Sequence, residues 1–575
     1  MYNMEEISYL LKCSLNEQLN LNRTQLLTND SISNIPSEHM QVETVGVGAI
    51  VGMLLVTVAN FIFNQKFRAI FSAPSRKNDK VIGKVNSKTL PRAITLLLAL
   101  LLPLIIVFLL LALVYKLACA VIIKNKDKYF VGFLDSFDVF WSLEDDTTKS
   151  VICVLGVIES DSPTALVLNI KHKLLNIFPN KATDKLFFRR REEYGFYYWR
   201  RYSSIDINQY VEMVDLPKQS DTLTAEDLEI LMTELSNQSL PYNDEALFKI
   251  LVTKQRVSKY GQERGEYGIV FRIHHSVGDG VALIEFLCKT LADDKNECTV
   301  NMFANAEKFN TRIQDSPKSL IYMMEKLLEM PICFVDGIIR EPDDNSLHGP
   351  VLFGEKIFKW TESDENLLTM VKEIKDNVDD MKFTDVLATA LSSGLHKYFS
   401  KTMTHIPKDV AVVLPVRFPP PATVDNGLVL ENDFSVTILD LPVKSCQREE
   451  VQERCDELRR SADPLTNYYL LKIFNSVLPK QILLPVFYSS QATMVFSNLP
   501  GPERLKICGG NTLKKLVFFV PLKGNTGLGV TALCYDGVLR FGAVADTALV
   551  SNSDQLAIIL DGMVEEIQRM HQTIR

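Results

Sequence analysis

Two long, uncharged apolar segments near the start of the chain limit what it can fold into. VGVGAIVGMLLVTVANFIF occupies residues 45–63, and AITLLLALLLPLIIVFLLLALV occupies residues 93–114. At about 1.5 Å rise per residue, helices of these lengths cross a hydrocarbon core of about 30 Å. A helix in a soluble core keeps some polar face, and neither segment has one. We therefore predict two transmembrane helices, and not a cleavable signal peptide, because the first segment lies far from Met1.

The loop between these segments is basic. It contains one acid, Asp79, and these basic residues: Lys66, Arg68, Arg76, Lys77, Lys80, Lys84, Lys88 and Arg92. Basic loops tend to stay cytoplasmic, so two full crossings would put the N-terminal tail and the C-terminal part on the other side. Glycosylation sequons at Asn22 and Asn29 fit that arrangement. Pro103, at the middle of the second segment, instead allows a re-entrant hairpin that keeps the rest cytosolic, so the topology stays open.

The rest of the chain suits a globular part of two lobes. The chain has 575 residues, 47% of them hydrophobic, and a net charge of -8 that gives no basic footprint for nucleic acid. The ten cysteines form no C-x-x-C pair, which argues against structural zinc and indicates mostly reduced thiols. The turn-rich stretch 341–354 is typical of a crossover between lobes. We predict a tail at 1–44, a membrane anchor at 45–128, and lobes at 129–345 and 346–575.

Strand-like runs alternate with helical patterns along both lobes. The predicted helix MKFTDVLATALSSGLHKYF (381–399) has Phe383, Val386, Leu387, Leu391 and Leu395 on one side. The predicted strands are VICVLGVI (151–158), YGIVFRI (267–273), AVVLPV (411–416), FSVTILDLPV (434–443), ATMVFSNLPGP (492–502) and DGVLRFGAVAD (536–546). This alternation indicates an α/β protein in two halves.

The stretch HHSVGDG, residues 274–280, joins a predicted strand to a predicted helix. Successive side chains of a strand point to opposite faces, so His274 and His275 cannot both face one cavity, and we expect one to be functional and the other structural. Gly278 and Gly280 flank Asp279, where we expect the backbone to need unusual dihedral angles. The spacing suits neither zinc nor a Ser-His-Asp triad, because adjacent histidines diverge and Ser276 is not in a G-x-S-x-G elbow. We therefore predict general-base catalysis, in which a neutral imidazole takes the proton of a hydroxyl group.

This stretch resembles the His-His-x-x-x-Asp-Gly motif of the CoA-dependent acyltransferase superfamily. Within it, the chain is most similar to the wax ester synthase/diacylglycerol acyltransferase family. Further similarity follows in order along the second lobe: TDVLATALSSGLHKYF (384–399), VLPVRF (413–418), ENDFSVTILDLPV (431–443), FSNLPGP (496–502) and YDGVLRFGAVAD (535–546). The resemblance covers roughly residues 150–570. It implies a two-lobed fold like that of chloramphenicol acetyltransferase, here preceded by transmembrane helices.

The resemblance also implies roles for individual residues. His275 would be the general base, His274 would pack behind it, and Asp279 and Gly280 would hold the loop. Asn498, in the Asn-Leu-Pro-Gly-Pro turn, is a candidate contribution from the second lobe, although such a turn has an ordinary structural explanation. The expected reaction moves a fatty acyl group from acyl-CoA, a co-substrate, to a long-chain alcohol or diacylglycerol, without a bound cofactor or metal.

Two alternatives remain at this point. His274 and Asp279 also have the His-x-x-x-x-Asp spacing of glycerolipid acyltransferases, which would make His274 the base, but no Phe-Pro-Glu-Gly-like companion is present. A catalytically inactive, lipid-binding homologue would keep the fold without the chemistry. The family often has a Pro-Leu-Trp segment upstream, whereas this chain has LPYNDEALFKILV at 240–252, which leaves the pocket of the first lobe open.

The expected setting is a lipid bilayer. We predict an integral membrane protein of the endoplasmic reticulum with its catalytic part in the cytosol, because acyl-CoA is cytosolic.

Overall fold

The computed structural model describes residues 89–145, 147–178, 183–216, 222–257, 264–293, 317–362, 364–417, 429–488 and 491–574. The predicted tail at 1–44 and the first predicted membrane segment at 45–63 lie outside these residues.

The second predicted membrane segment lies in one long helix. Helix α1 runs from Thr89 to Lys126, 38 residues or about 57 Å, and Pro103 is inside it without a turn. Among the described residues, its stretch Leu100–Lys126 is the one helix long and apolar enough to span a membrane. The helix therefore continues well beyond the predicted end at Val114, and a hairpin at Pro103 is not formed.

The first lobe is built on a six-stranded sheet. Its strands are β2 (Val151–Ser160), β5 (Val211–Val214), β6 (Phe248–Arg256), β7 (Gly265–His274), β12 (Lys506–Ile507) and β13 (Asn511–Phe519), in the order β12-β13-β2-β7-β6-β5. A smaller sheet has the order β1-β4-β3, from β1 (Phe130–Phe133), β3 (Arg189–Glu193) and β4 (Phe196–Arg200). The helices of this lobe are α2 (Ser136–Ser142), α3 (Pro163–Ile177), α4 (Asp184–Phe187), α5 (Ala225–Ser236) and α6 (Gly280–Phe286). Turns of 3-10 and π helix occupy Ile207–Gln209 and Leu287–Leu291.

The second lobe has a six-stranded sheet of its own. Its strands are β8 (Lys356–Trp360), β9 (Asp409–Arg417), β10 (Phe434–Pro442), β11 (Met494–Pro500), β14 (Leu528–Tyr535) and β15 (Val538–Asp546), in the order β10-β9-β11-β14-β15-β8. The helices of this half are α7 (Pro317–Ile339), α8 (Leu367–Asn377), α9 (Phe383–Lys401), α10 (Arg448–Arg460), α11 (Asp463–Val477), α12 (Lys480–Tyr488) and α13 (Ser553–Ile574). The buried faces of α9 and α13 share one apolar cluster with strands β9, β11, β14 and β15.

The second half of the chain contributes two strands to the first sheet. β12 and β13 follow β11 of the second sheet in sequence, yet β13 pairs antiparallel with β2 of the first sheet, and the chain then returns to form β14 beside β11. A separate apolar cluster contains residues of both sheets, among them Leu155, Val517, Phe358 and Val544. Residues 346–575 thus contribute to both sheets. The four domain ranges derived from the sequence stay a prediction.

The predicted elements agree with the structure. The six predicted strands correspond to β2, β7, β9, β10, β11 and β15, and the predicted helix at 381–399 corresponds to α9. Four of its five predicted apolar residues are fully buried, and Phe383 packs against the same cluster at its edge. The α/β two-lobed fold is confirmed. We predicted that the cysteines are mostly reduced. Seven cysteines among the described residues are free, whereas Cys288 is disulfide-bonded.

The close packing of α9 on α13 depends on two glycines, which gives a test of this layer. A Cβ at Gly394 would lie 2.4 Å from the main-chain O of Ile559, and a Cβ at Gly562 would lie 2.8 Å from Gly394 Cα. Alanine normally stabilises a helix by about 1 kcal/mol relative to glycine. We expect Gly394→Ala to reverse this sign and lower the free energy of unfolding by about 1–3 kcal/mol, because backbone must move.

The matched control is Gly337→Ala in helix α7. A Cβ there meets no atom within 4 Å, so this variant should be neutral or more stable. Thermal denaturation of both variants, followed by circular dichroism, measures the difference. Equal stability of the two variants would show that the contact between α9 and α13 is looser than described.

Candidate active site

The histidine motif lies where β7 ends and α6 begins. β7 ends at His274, α6 begins at Gly280, and Asp279 is the N-cap of α6. The Oδ1 of Asp279 accepts hydrogen bonds from the main-chain N–H groups of Val281 and Ala282, at 3.1 and 3.0 Å. Those groups have no partner inside the helix, so the carboxylate stabilises the helix start and fixes the turn.

Asp279 also joins the motif to the second lobe. Its main-chain N–H donates to the O of Glu431 at 3.1 Å, and its Oδ2 accepts from the main-chain N–H of Asp433 at 3.3 Å. Burial raises the pKa of Asp279, and the guanidinium of Arg417, with Nη1 3.3 Å from Oδ1, opposes this rise. The contacts agree with a loop-holding residue, a role that stays a prediction.

The two glycines of the motif provide space and no unusual dihedral angle. Neither Gly278 nor Gly280 has a positive φ, so the expectation of an unusual backbone conformation is wrong at both. A Cβ at Gly280 would lie 2.4 Å from Leu499 Cδ1, a side chain of strand β11 in the second lobe. A Cβ at Gly278 would lie 3.2 Å from the Cβ of Ala282. At both positions a neighbouring side chain would have to move to make room for a Cβ.

His274 is enclosed by polar partners on both ring nitrogens. Its exposure is 1%, and its Nδ1 accepts from the main-chain N–H of Ser276 at 3.1 Å, with the Ser276 hydroxyl at 2.7 Å. Its Nε2 lies 3.0 Å from Glu144 Oε1 and 2.8 Å from Arg190 Nη1. Burial and the charge of Arg190 lower the pKa of His274, whereas Glu144 opposes the decrease. The ring has no nitrogen left for a substrate.

His275 has a different environment and is partly exposed. Its ring stacks on the indole of Trp141 with centroids 3.7 Å apart and an interplanar angle of 13°, and Phe434 approaches at 6.2 Å. Its main-chain N–H donates to the O of Ser150 at 2.8 Å, which fixes the residue just beyond the end of β7. Burial among these rings lowers the pKa of His275 to about 3, so the imidazole is neutral at physiological pH.

The side chain of Asn432 determines which ring nitrogen of His275 carries the proton. The Asn432 amide nitrogen donates to Asp138 Oδ1 at 2.8 Å and to the main-chain O of His275 at 2.7 Å. Both partners only accept hydrogen bonds, so the amide oxygen must be the atom that faces His275 Nδ1, at 3.2 Å. His275 Nδ1 therefore carries the hydrogen, and Nε2 keeps its lone pair for an incoming proton.

Asp138, behind Asn432, is itself held by a cation. It is fully buried in helix α2, and Lys185 Nζ lies 2.7 Å from its Oδ2. Burial raises the pKa of Asp138 to about 6, a rise that Lys185 limits. The chain Lys185, Asp138, Asn432, His275 thus runs from helix α4 through both lobes to the imidazole.

Asn498, the candidate from the second lobe, is half-buried in strand β11, where it lies opposite Ala532 of β14. Its neighbour Leu499 is the residue that approaches Gly280. In the described part of the chain no hydrogen bond joins the Asn498 side chain to the histidines, and its role stays a prediction.

The second lobe matches a known family model. Residues 430–571, which include Asn432 and the strands β10, β11 and β13 to β15, match the WS/DGAT C-terminal domain. This match supports the resemblance of the chain to the wax ester synthase/diacylglycerol acyltransferase (WS/DGAT) family. No curated protein sequence matches the chain significantly.

Solved structures show the same fold. The wax ester synthase/diacylglycerol acyltransferase from Marinobacter aquaeolei VT8 is similar with a TM-score of 0.52 and 16% identity, covering 76% of this chain and 99% of its own. The trichothecene 15-O-acetyltransferase from Fusarium sporotrichioides gives a TM-score of 0.51 and 10% identity, over 75% of this chain and 94% of its own. The chain therefore has the same fold as these two acyltransferases.

Three residues around the two histidines were not recognised from the sequence. Asn432 lies inside ENDFSVTILDLPV (431–443), a stretch that was matched to the family without a role for any of its residues. Trp141 and Glu144 come from SFDVFWSLE, more than a hundred residues before the histidines, and carry no recognisable spacing to them. The available signal was the apolar pattern of this stretch, which contains helix α2 and ends with the acid Glu144.

The link between Asn432 and the imidazole can be tested by substitution. We expect Asn432→Ala to lower kcat by roughly 10²-fold, because the ring loses the acceptor that selects its reactive tautomer. The KM for the acyl donor should change little, since Asn432 contacts the histidine and Asp138. Steady-state kinetics with one acyl donor and one acceptor give both constants.

The matched control is Asn377→Ala. The Asn377 side chain is exposed and donates to the O of Glu373 in helix α8, so this variant should retain full kcat. An unchanged kcat in a folded Asn432→Ala protein would exclude the tautomer control derived from the geometry.

Proposed function

We propose that the protein is a membrane-bound O-acyltransferase that moves a fatty acyl group from acyl-CoA to a long-chain alcohol, to diacylglycerol, or to both. The observation that carries the proposal is the state of His275: a neutral imidazole whose Nδ1 is bound by Asn432 and whose Nε2 keeps a lone pair. Its partner Asn432 lies in the stretch that matches the WS/DGAT C-terminal domain, and the chain has an acyltransferase fold. This combination supports deprotonation of a hydroxyl group by His275.

The chemistry needs one base and no covalent enzyme intermediate. His275 Nε2 takes the proton of the acceptor hydroxyl as its oxygen attacks the thioester carbonyl carbon. A tetrahedral intermediate forms, its C–S bond breaks, and CoA leaves as a thiol after receiving the proton from Nε2. The products are an ester and CoA, and the histidine returns to its neutral state.

The low pKa of His275 has two effects on this step. It keeps the base unprotonated throughout the physiological pH range, so no activity is lost to imidazolium. It also makes the imidazole a weaker base, which accepts a proton less readily. An alcohol bound beside Trp141 would be shielded from water, which limits hydrolysis of the thioester.

The alternative with His274 as the base receives no support from its contacts. Both of its nitrogens have polar neighbours inside the protein, and its exposure is 1%. Its contacts with Glu144 and Arg190 suit a positioning residue beneath the motif.

The proposal is tested by ester formation. Membranes containing the full chain are incubated with labelled acyl-CoA and, separately, with hexadecanol or diacylglycerol, and labelled lipids are separated. We expect His275→Ala to lower the rate by about 10²–10⁴-fold, the usual contribution of a general base. His274→Ala should lower both rate and stability, because Glu144 and Arg190 lose a buried partner.

Activity that survives in His275→Ala and is lost in His274→Ala would reverse the assignment of the base. No ester with either acceptor from a folded wild-type chain would favour the inactive, lipid-binding homologue.

The proposal includes a cytosolic catalytic part at the endoplasmic reticulum, where acyl-CoA is present. The apolar stretch Leu100–Lys126 supports attachment to a membrane. The disulfide at Cys288 favours an oxidising compartment instead. The supply of acyl-CoA thus predicts that the catalytic part is cytosolic, whereas the disulfide at Cys288 predicts that it is lumenal.

Protease protection in sealed microsomes measures the side directly. We expect a C-terminal epitope tag to be digested without detergent, because the catalytic part must reach cytosolic acyl-CoA. A lumenal marker protein is the control and should be digested only after detergent is added. Full protection of the C-terminal tag would overturn the cytosolic placement.

A further inference from the structure

The C-terminal half of helix α1 is docked on the catalytic part along one face. Lys116, Cys119 and Ile123 are buried there, at exposures of 7% or less, and share one stripe of the helix. The Lys116 ammonium donates to the main-chain O of Ser476 at 2.6 Å, at the end of helix α11. A lysine in so apolar a helix is acceptable because its charge is satisfied inside the protein. The helix and the lobes are therefore one packed unit.

The same half of α1 contacts the turn between β3 and β4. The hydroxyl of Tyr115 donates to the main-chain O of Tyr194 at 3.2 Å, and Lys126 forms an ion pair with Glu193 at 2.9 Å. This turn, called here the hairpin tip (residues 193–196), lies beside the helix between the levels of residues 115 and 126.

The start of helix α12 packs against the hairpin tip. The main-chain N–H of Lys480 donates to the O of Gly195 at 2.8 Å, and a Cβ at Gly195 would lie 3.0 Å from Pro479 Cβ. α1, the hairpin tip and α12 therefore form one continuous surface.

Large apolar side chains are exposed on this surface. Leu117, Val121 and Ile122 on the free face of α1 are 40%, 62% and 48% exposed, Tyr194 is 46% exposed and Ile482 is 40% exposed. They continue the uncharged, exposed face of Leu100–Val114 without interruption. A water-exposed helix would have polar residues at these positions.

We propose that the hairpin tip and the start of α12 enter the lipid bilayer beside α1, so that the catalytic part is partly embedded. This rests on the membrane attachment within the proposed function. The membrane boundary then lies near Lys124 and Lys126, about 15 Å of helix beyond the predicted end at Val114. The spanning stretch Leu100–Ile123 would measure about 36 Å, enough for a hydrocarbon core of about 30 Å with some tilt.

The charges on this surface agree with shallow insertion. Glu193 is paired with Lys126, and Glu192 is paired with Lys480 at 2.7 Å, so the acids near the tip have cationic partners. Tyr194 is of the residue type that prefers the boundary between lipid and water. An insertion of about 5–10 Å, the usual depth of interfacial elements, requires no unpaired charge in hydrocarbon.

Photo-crosslinking to lipid tests the proposal. p-Benzoylphenylalanine is introduced singly at Val121, Tyr194 and Ile482 of the full chain in phosphatidylcholine vesicles, and lipid adducts are measured by mass spectrometry. We expect adducts at all three positions. The matched controls are Met403 and Val351, which are 95% and 84% exposed on the lobes and should give no lipid adducts.

A probe at Val107 separates failure of this inference from failure of membrane attachment. Adducts at Val107 without adducts at Tyr194 and Ile482 would leave a spanning helix and overturn partial embedding. No adduct at Val107 would overturn both. None of these readings depends on ester formation, so a loss of acyltransferase activity is detected separately.

Discussion

The three hydrogen bonds of the Asn432 amide connect most of what is distinctive about the site. They begin in the second lobe and end on Asp138 of helix α2 and on both the ring and the main chain of His275. One side chain thereby joins the lobes across the site and selects the protonated nitrogen of the His275 ring. The amide nitrogen of Asn432 is used by two acceptors, so only its oxygen is left to face the ring. A His275 ring without hydrogen on Nδ1 would place two acceptor atoms, Nδ1 and the amide oxygen, against each other. The lobes cannot separate locally without disturbing the imidazole.

The position of β13 in the first sheet explains why the contact between Asn432 and His275 is held firmly. β13 lies beside β2, which pairs with β7, the strand that leads into the histidines. The second half of the chain is thus built into the sheet beneath the motif. Asp279 adds a second connection through Glu431 and Asp433, on either side of Asn432. The motif and residues 431–433 form one polar junction between the lobes.

The sequence could predict the elements whose signal is local. The strand, turn and helix around His275, and the apolar stripe of α9, follow from side-chain periodicity within about twenty residues. The partners of His275 could not be predicted that way, because Trp141 and Asn432 are 134 and 157 positions from it and meet it only after the lobes assemble. The glycines of the motif show a different limit. The space at these two positions is limited by the side chains of Leu499 and Ala282. A glycine in a sequence does not show whether it is there because space is limited or because φ is positive.

The length of α1 has a consequence for how a lipophilic acceptor reaches His275. Lys116 and Ser476 fix the helix to α11, and α11 packs on α2, the helix that carries Trp141 and Asp138. A membrane helix attached through a flexible linker would let the site move freely above the bilayer. Here the helix, α11 and the aromatic side chains beside His275 are packed in series. If α1 spans a bilayer, as we propose, side-chain packing sets the distance from the bilayer to the imidazole. Under the proposed function, acceptors dissolved in lipid would meet the catalytic part at one fixed height, which favours molecules that remain partly in the membrane while their hydroxyl group reaches His275.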